Sequence, residues 1–355
     1  MNTHHSPAPA AVAPPAEILA LGEVMLRFSP PGNGRLEFAT SLEVDVGGGE
    51  YNVAYALARL GWRTGFVTRL PDHPMSRLVI NHARAAGMDA RHMHLVPYDG
   101  VGRSERLGLY FAEAGVGARG GMALFDRGHS AASRMKVTDI DWPKALGGGC
   151  RWFHASGIFP VLGPNCADVL ELALRTAAKE KVVTSYDLNY RAALCDPATA
   201  AAVNRRLVAL TDVLIGSPEG LVWLLADDPP PAGLSLSALV DAVHVRFPNL
   251  KTIAGTQRTV HSGTRHDLGG FWWQAGHWWQ DPGFSNFEIV DRIGTGDAFS
   301  AGVVHGLLHG WESAKSLRFA LAYAVLVHTT RGDTAQFTAA EIEHVAAGGN
   351  AAIQR

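Results

Sequence analysis

Residues 44–61, VDVGGGEYNVAYALARLG, followed directly by RTGFVTRL at 63–70, decide how this chain is read. Val53, Ala56, Leu57 and Leu60 recur at i, i+3, i+4 and i+7, one face of a helix. Gly61 stands where a C-terminal cap glycine belongs. The apolar run that follows reads as a strand. Working back, EILALGEVML at 17–26 reads as a first buried strand; working forward, PMSRLVINHARAAG at 74–87 reads as a helix ending in glycine. RWFHASGIF, KVVTSYDLNY, DVLIGS and KTIAGTQ are later strand candidates. NCADVLELALRTAAKE and TAAAVNRRLVAL are helical stretches between them. Strands alternating with helices at this spacing predict βαβ units and a parallel sheet, an α/β fold.

Composition narrows the class. The chain has 355 residues, 47% hydrophobic and 18% charged, with a formal net charge of −2 and 39 glycines. Such a chain is neither disordered nor a coiled coil, and it offers no basic footprint for nucleic acid. Cys150, Cys166 and Cys195 are too few and too scattered for a disulfide framework, which fits a reducing, cytoplasmic setting. No apolar run is long enough to span a membrane. Residues 1–16, Ala/Pro-rich, read as a flexible lead in which His4 and His5 are solvated. Residues 17–345 read as one domain and 346–355 as a tail.

One region breaks the alternation. In RSERLGLYFAEAGVGARGGMALFDRG, Leu107, Leu109 and Phe111 fall on one side of a strand, with Arg106 and Tyr110 on the other. After a glycine-rich turn, Ala123, Phe125 and Arg127 share a face. This is a hairpin, and periodicity leaves open whether it is a lid or an ordinary edge hairpin. Gly115-Val-Gly117-Ala-Arg-Gly120 matches a dinucleotide fingerprint, but a strand rather than a helix follows, so the nicotinamide reading is rejected. ADDPPPAG at 226–233 is a turn-rich loop, and GGFWWQAGHWWQ at 269–280 reads as strands with an aromatic face.

The segment that carries chemistry is Asp291-Arg-Ile-Gly294-Thr-Gly296-Asp297-Ala-Phe-Ser-Ala-Gly302. A glycine-rich turn running into a helix offers free N–H groups at a positive dipole end, which suits phosphate. Asp297 at that helix start is either a capping residue or a base beside an anion hole. The dipole predicts a lowered Asp297 pKa.

DRIGTGDAFSAG resembles the C-terminal signature of the ribokinase-type (PfkB) carbohydrate kinases, and GGGEYNVAYALARLG resembles their N-terminal sugar-binding signature. Within that family the interior stretches LPDHPMSRL, LGLYFAEAG, ALFDRGHSAAS, WFHASGI, DLNYRAAL, TQRTVHSGTRHDLGG and LVHTTRGD resemble 2-keto-3-deoxygluconate kinases. The resemblance implies a ribokinase-like fold, a mostly parallel sheet flanked by helices with a small β lid from about 25–45 and 103–128. It implies Asp297 as the catalytic base and Gly294, Thr295 and Gly296 as the anion hole. It places the sugar against Gly48, Gly49, Asn52, Tyr110, Phe125, Arg127, Asn189 and Arg191, with two arginines for a substrate carboxylate. It places ATP near Ser217, Glu219, Thr256, Arg258, Gly294, Gly296, Val325 and His328, although a buried helix face accounts for Val325 equally well. Mg²⁺ belongs with the phosphates. A monovalent cation such as K⁺ has a place near Asp291.

The chain departs from the family where N-x-x-E is usual. Ser217-Pro-Glu219-Gly220 stands there, leaving Glu219 offset by one. Cys195 replaces an aromatic and Phe125 a tyrosine. The implied activity is ATP-dependent phosphorylation of 2-keto-3-deoxygluconate at the C6 hydroxyl, by an enzyme that pairs as a homodimer through the lid and engages neither nucleic acid nor membrane. The alternatives are a kinase for another sugar such as fructose, or a sugar-acid-binding relative with weak catalysis.

Overall fold

The apolar run at 17–26 is not one strand but two, in different sheets. The computed structural model describes residues 14–191, 193–229, 231 and 233–349; the N-terminal lead up to residue 13 and the tail from residue 350 lie outside these. Strand β1 (Ile18–Leu21) stops at Gly22, and β2 (Met25–Ser29) begins after a break. Gly22 packs directly on the buried Glu50 carboxylate, where a side chain would collide, and the chain leaves the large sheet there. Periodicity cannot show that break, because both halves are apolar.

The remaining elements follow in order: β3 (Glu43–Gly47), α1 (Gly49–Arg59), β4 (Thr64–Pro71), α2 (Pro74–Ala85), β5 (Met93–Val96), β6 (Gly108–Glu113) and β7 (Met122–Asp126). Then come α3 (Trp142–Leu146), β8 (Trp152–Ser156), α4 (Cys166–Lys179), β9 (Val183–Asp187), α5 (Pro197–Val208), β10 (Val213–Ile215), α6 (Pro218–Leu224) and α7 (Leu236–Arg246). The chain closes with β11 (Thr252–Ser262), β12 (Arg265–Gln274), β13 (His277–Glu288), α8 (Thr295–Leu308), α9 (Ser313–Val327) and α10 (Ala339–Ala346).

The large sheet has the order β13-β12-β11-β10-β9-β8-β1-β4-β5 and is parallel from β11 to β5. Side chains alternate between two cores. Leu19, Leu21, Phe153, Phe271 and Trp273 pack with α3, α4, α5, α6 and α7. Ile18, Trp152 and Trp272 pack on the opposite side with α1, α8 and α9. The aromatic face expected at 269–280 is therefore a pair of long antiparallel strands, with Trp272 opposite Trp279 and Trp273 opposite Trp278. Helix α8 is buried almost all round rather than on one face, since Gly302 lies against Ala320 and Gly306 against Ser316 of α9.

The predicted hairpin is β6–β7, and the rejected dinucleotide match is its turn, closed by mutual Val116–Arg119 hydrogen bonds. It does not extend the large sheet. With β2 and β3 it forms a second sheet, β3-β2-β6-β7, over the carboxyl ends of the parallel strands. Among the described residues no helix is long and apolar enough to cross a membrane.

Candidate active site

A cavity of about 800 Å³ lies between the two sheets. Its floor comes from the carboxyl ends of the parallel strands, where α/β sheets present ligand sites. Its roof is the small sheet: Tyr110 lies opposite Phe125 in the ladder and their rings stack at 5.4 Å. The signature turn borders the same cavity. Gly294 is left-handed, with φ +81°, and caps α8. The first intrahelical bond runs from Ala298 N–H to the Gly294 carbonyl. The amides of Thr295, Gly296 and Asp297 therefore precede the helical ladder, as at any helix start. Apart from its chain neighbours and its own helix, no described atom stands within 4 Å of where a Gly296 side chain would be, so the turn is open to a ligand.

Asp297 is half-buried on this turn. Asn52 Nδ2 donates to Asp297 Oδ2 at 2.7 Å, and Asn52 Oδ1 accepts the Gly48 N–H at 3.2 Å. The two signatures, far apart in sequence, thus meet at one carboxylate. Burial, then the nearby Asp187 and Asp333 charges, push Asp297 up to about 8, against the pull of Asn52 and Arg191. The dipole-based expectation of a lowered value fails, because desolvation and like charges outweigh a partial charge at a helix end. Asp187 is itself pushed up to about 6 by burial, although it accepts Ser300 Oγ–H at 3.0 Å and the Asn189 N–H at 3.1 Å.

Most of the expected residues reach the cavity: Gly48, Gly49, Asn52, Tyr110, Phe125, Arg127, Asn189, Arg191, Ser217, Glu219, Thr256, Arg258 and the 294–297 turn. Gly49 is tight, since a side chain there would press on Asn189 Nδ2. Gly48 instead packs against the Glu23 carbonyl. Asn189 sits at φ +33°, a left-handed conformation that Asn tolerates better than most residues. Ser217 caps α6 by accepting the Gly220 N–H.

Three expectations change. Val325 and His328 do not line the cavity; Val325 belongs to the core, and His328 is fully buried with Nδ1 bonded to the Ala324 carbonyl and its ring on Phe287. Arg127 is not a free guanidinium, because Glu23 takes its charge at 2.5 and 2.7 Å in a buried pair. Asp291, the expected neighbour of a monovalent cation, spends its carboxylate on Arg27 and on the Arg292 and Ile293 amides. The Glu23–Arg127 and Arg27–Asp291 pairs depend on long-range packing that spacing does not encode. Among the described residues no group of three or more His, Cys, Asp or Glu side chains is placed to hold a metal ion.

Arg292 is the residue the motif contained and the reading overlooked. It lines the cavity together with Arg191 and Arg258, and none of the three has a carboxylate partner among the described residues. Surrounding protein, then the Arg292 and Arg191 charges, hold Arg258 below the usual arginine range, although its side chain is open to solvent. Three mutually repelling guanidiniums beside a row of open amides make an anion site of high charge demand.

Known proteins share this architecture. The sequence model of the pfkB family of carbohydrate kinases matches residues 15–251 and 275–340. A relative from Haloferax volcanii, named 2-dehydro-3-deoxygalactonokinase, is 31% identical over 342 residues, 96% of this chain and 99% of its own. The crystal structure of 2-dehydro-3-deoxygluconokinase from Thermotoga maritima superposes with a TM-score of 0.86 at 35% identity, covering 93% of this chain and 99% of that one. A PfkB family carbohydrate kinase from Listeria grayi gives 0.86 at 30% identity over the same shares. With the family model matched over most of its length and relatives above 30% identical along almost all of it, the chain belongs to the pfkB family of carbohydrate kinases, phosphotransferases with an alcohol acceptor.

Proposed function

We propose that the protein is an ATP-dependent kinase of a sugar acid, 2-keto-3-deoxygluconate, acting on its C6 hydroxyl. The observation that carries this reading is Arg191, which has no carboxylate partner among the described residues, in the same cavity as Asp297 and the open amide turn. A neutral hexose has no use for an unpaired guanidinium, whereas a carboxylate pairs with one bidentately. Anchoring the C1 carboxylate leaves the C6 hydroxyl, at the other end of the molecule, for Asp297. The names of the Haloferax and Thermotoga relatives, both kinases of 2-keto-3-deoxy sugar acids, support the same class.

In this reading Asp297 accepts the hydroxyl proton as the oxygen attacks the γ-phosphorus and the bond to ADP breaks. Asn52 holds the carboxylate's second oxygen and so fixes its direction. The amides of residues 294–297 receive the transferring phosphoryl group, and Arg258 and Arg292 face the remaining phosphate charge. ATP suits these residues: the turn is open, and Arg258 and Arg292 have no carboxylate partner among the described residues. Glu219 lines the same cavity, and with water and the phosphates it would hold Mg²⁺. That ion supplies charge neutralisation across the phosphates.

A panel of 2-keto-3-deoxygluconate, its C4 epimer and fructose, with ATP and Mg²⁺, tests the substrate class. Turnover of a sugar acid is expected to exceed that of fructose. Arg191→Lys is expected to raise KM for the acid by about tenfold or more while leaving fructose unaffected. Faster phosphorylation of fructose, or an unchanged KM, would remove the carboxylate from the reading.

A homodimer through the small sheet is part of the proposal. Val44, Phe28, Phe111 and Leu124 lie opposite one another across all four strands, forming one apolar row. Leu124 is 59% exposed and Val44 43%. A second copy would cover this row. Light scattering is expected to give a dimer for the native chain and a monomer for Leu124→Asp; a native monomer refutes it.

A further inference from the structure

A buried ion cluster joins the roof of the cavity to its phosphate-facing turn. Arg27, on β2, places Nη2 2.6 Å from Asp291 Oδ2 and Nη1 2.9 Å from Asp333 Oδ1. All three side chains are at most 5% exposed. Arg27 Nε donates to Ser29 Oγ, which fixes the guanidinium plane. Asp291 Oδ1 accepts the amides of Arg292 and Ile293, the two residues that lead into Gly294. Asp333 accepts the Tyr110 hydroxyl of β6 with its other oxygen.

The backbone closes the same circuit. The Asp333 carbonyl lies against Gly294, on the side where a side chain would stand, and the Asp333 carboxylate lies against Gly47 at the end of β3. One guanidinium therefore connects three strands of the small sheet to both walls of the turn. Without it, two buried carboxylates would face each other uncompensated, and the turn would lose its tether.

We propose that Arg27 is a positioning residue for phosphoryl transfer: by bridging Asp291 and Asp333 it holds the 294–296 amides in register with Asp297 and ties that turn to the small sheet. This rests on the reading of Asp297 and its turn as the reacting centre. A displacement of about 1 Å there is enough to cost about a hundredfold in rate. The sugar anchors Asn189 and Arg191 follow β9 and are not part of the cluster, which meets the sugar side only through Tyr110, so the loss falls mainly on kcat rather than on sugar binding.

The test compares kcat per folded molecule, both KM values and the thermal midpoint for the native enzyme, Arg27→Lys, Arg27→Ala and Asp297→Asn. Arg27→Ala is expected to lower kcat about a hundredfold with little change in sugar-acid KM, and free guanidinium ion at non-denaturing concentration is expected to restore about tenfold. Arg27→Lys, which keeps the charge without the fork, should fall between. A folded Arg27→Ala with native kcat, or one whose loss guanidinium does not touch, overturns the proposal. If Arg27→Ala does not fold, Arg27→Lys decides: native kcat overturns it, a lowered kcat at unchanged KM supports it. Full activity of Asp297→Asn would instead strike the reacting centre itself.

Discussion

Asp297→Asn is expected to lower kcat by about a thousandfold while leaving both KM values close to native. The amide keeps the size of the carboxylate, and its oxygen can still accept from Asn52, so the cavity keeps its shape. What it loses is the capacity to take the hydroxyl proton. A variant with native kcat would remove Asp297 from that role. The pH behaviour is a second readout. Burial and two neighbouring carboxyl groups push Asp297 up to about 8, so the free enzyme is mostly protonated there below that pH. kcat/KM, which reports the free enzyme, is expected to rise with pH through about 8, its midpoint, and to level off above it. Stability runs the other way. Between about pH 4 and pH 8 the unfolded chain has released this proton and the folded chain has kept it, so the group's contribution to stability falls as pH rises through that window. Asp297→Asn removes that cost, and at pH 8 it is expected to melt no lower than the native protein. A variant that is inactive and also much less stable would point to a structural role instead.

Gly294→Ala is expected to be the most damaging single methyl addition in the signature. Gly294 has φ +81°, a conformation that costs an L-residue roughly 1–2 kcal/mol. Its new side chain would also meet the Asp333 carbonyl, which is backbone and cannot swing away. The turn must open, and its amides lose their aim. Removing one such donor costs about a hundredfold or more in kcat in comparable anion holes. A rise in KM for ATP and a lower thermal midpoint should accompany it. Gly296→Ala is the control, because apart from its chain neighbours and its own helix no described atom lies within 4 Å of its added carbon. It is expected to fold and melt like the native chain while binding ATP more weakly. Native kinetics for Gly294→Ala would show that phosphate is held elsewhere.

Much of this site was legible without coordinates because its chemistry is local. DRIGTGDAFSAG carries its turn, its helix start and its carboxylate within twelve consecutive residues, and DLNYR puts Asn189 and Arg191 just beyond a strand end. The strand–helix alternation was equally readable, since period and glycine placement belong to each segment alone. The strand break at Gly22 was not, because Gly22 packs on Glu50, 28 positions away in the chain and close in space.

The amino-acid sequence by itself determined which residue types stand at the strand ends, that a glycine turn precedes α8, and that two signatures share one chain. Only the tertiary structure decided which charges remain free. Arg127 is taken up by Glu23 and Arg27 by Asp291 and Asp333, whereas Arg191, Arg258 and Arg292 line the cavity with no carboxylate partner among the described residues. It also reversed the direction of the Asp297 shift. The physical reason is common to both. Pairing and desolvation depend on distances of a few ångströms between segments up to 306 residues apart, and no pattern along the chain encodes such distances.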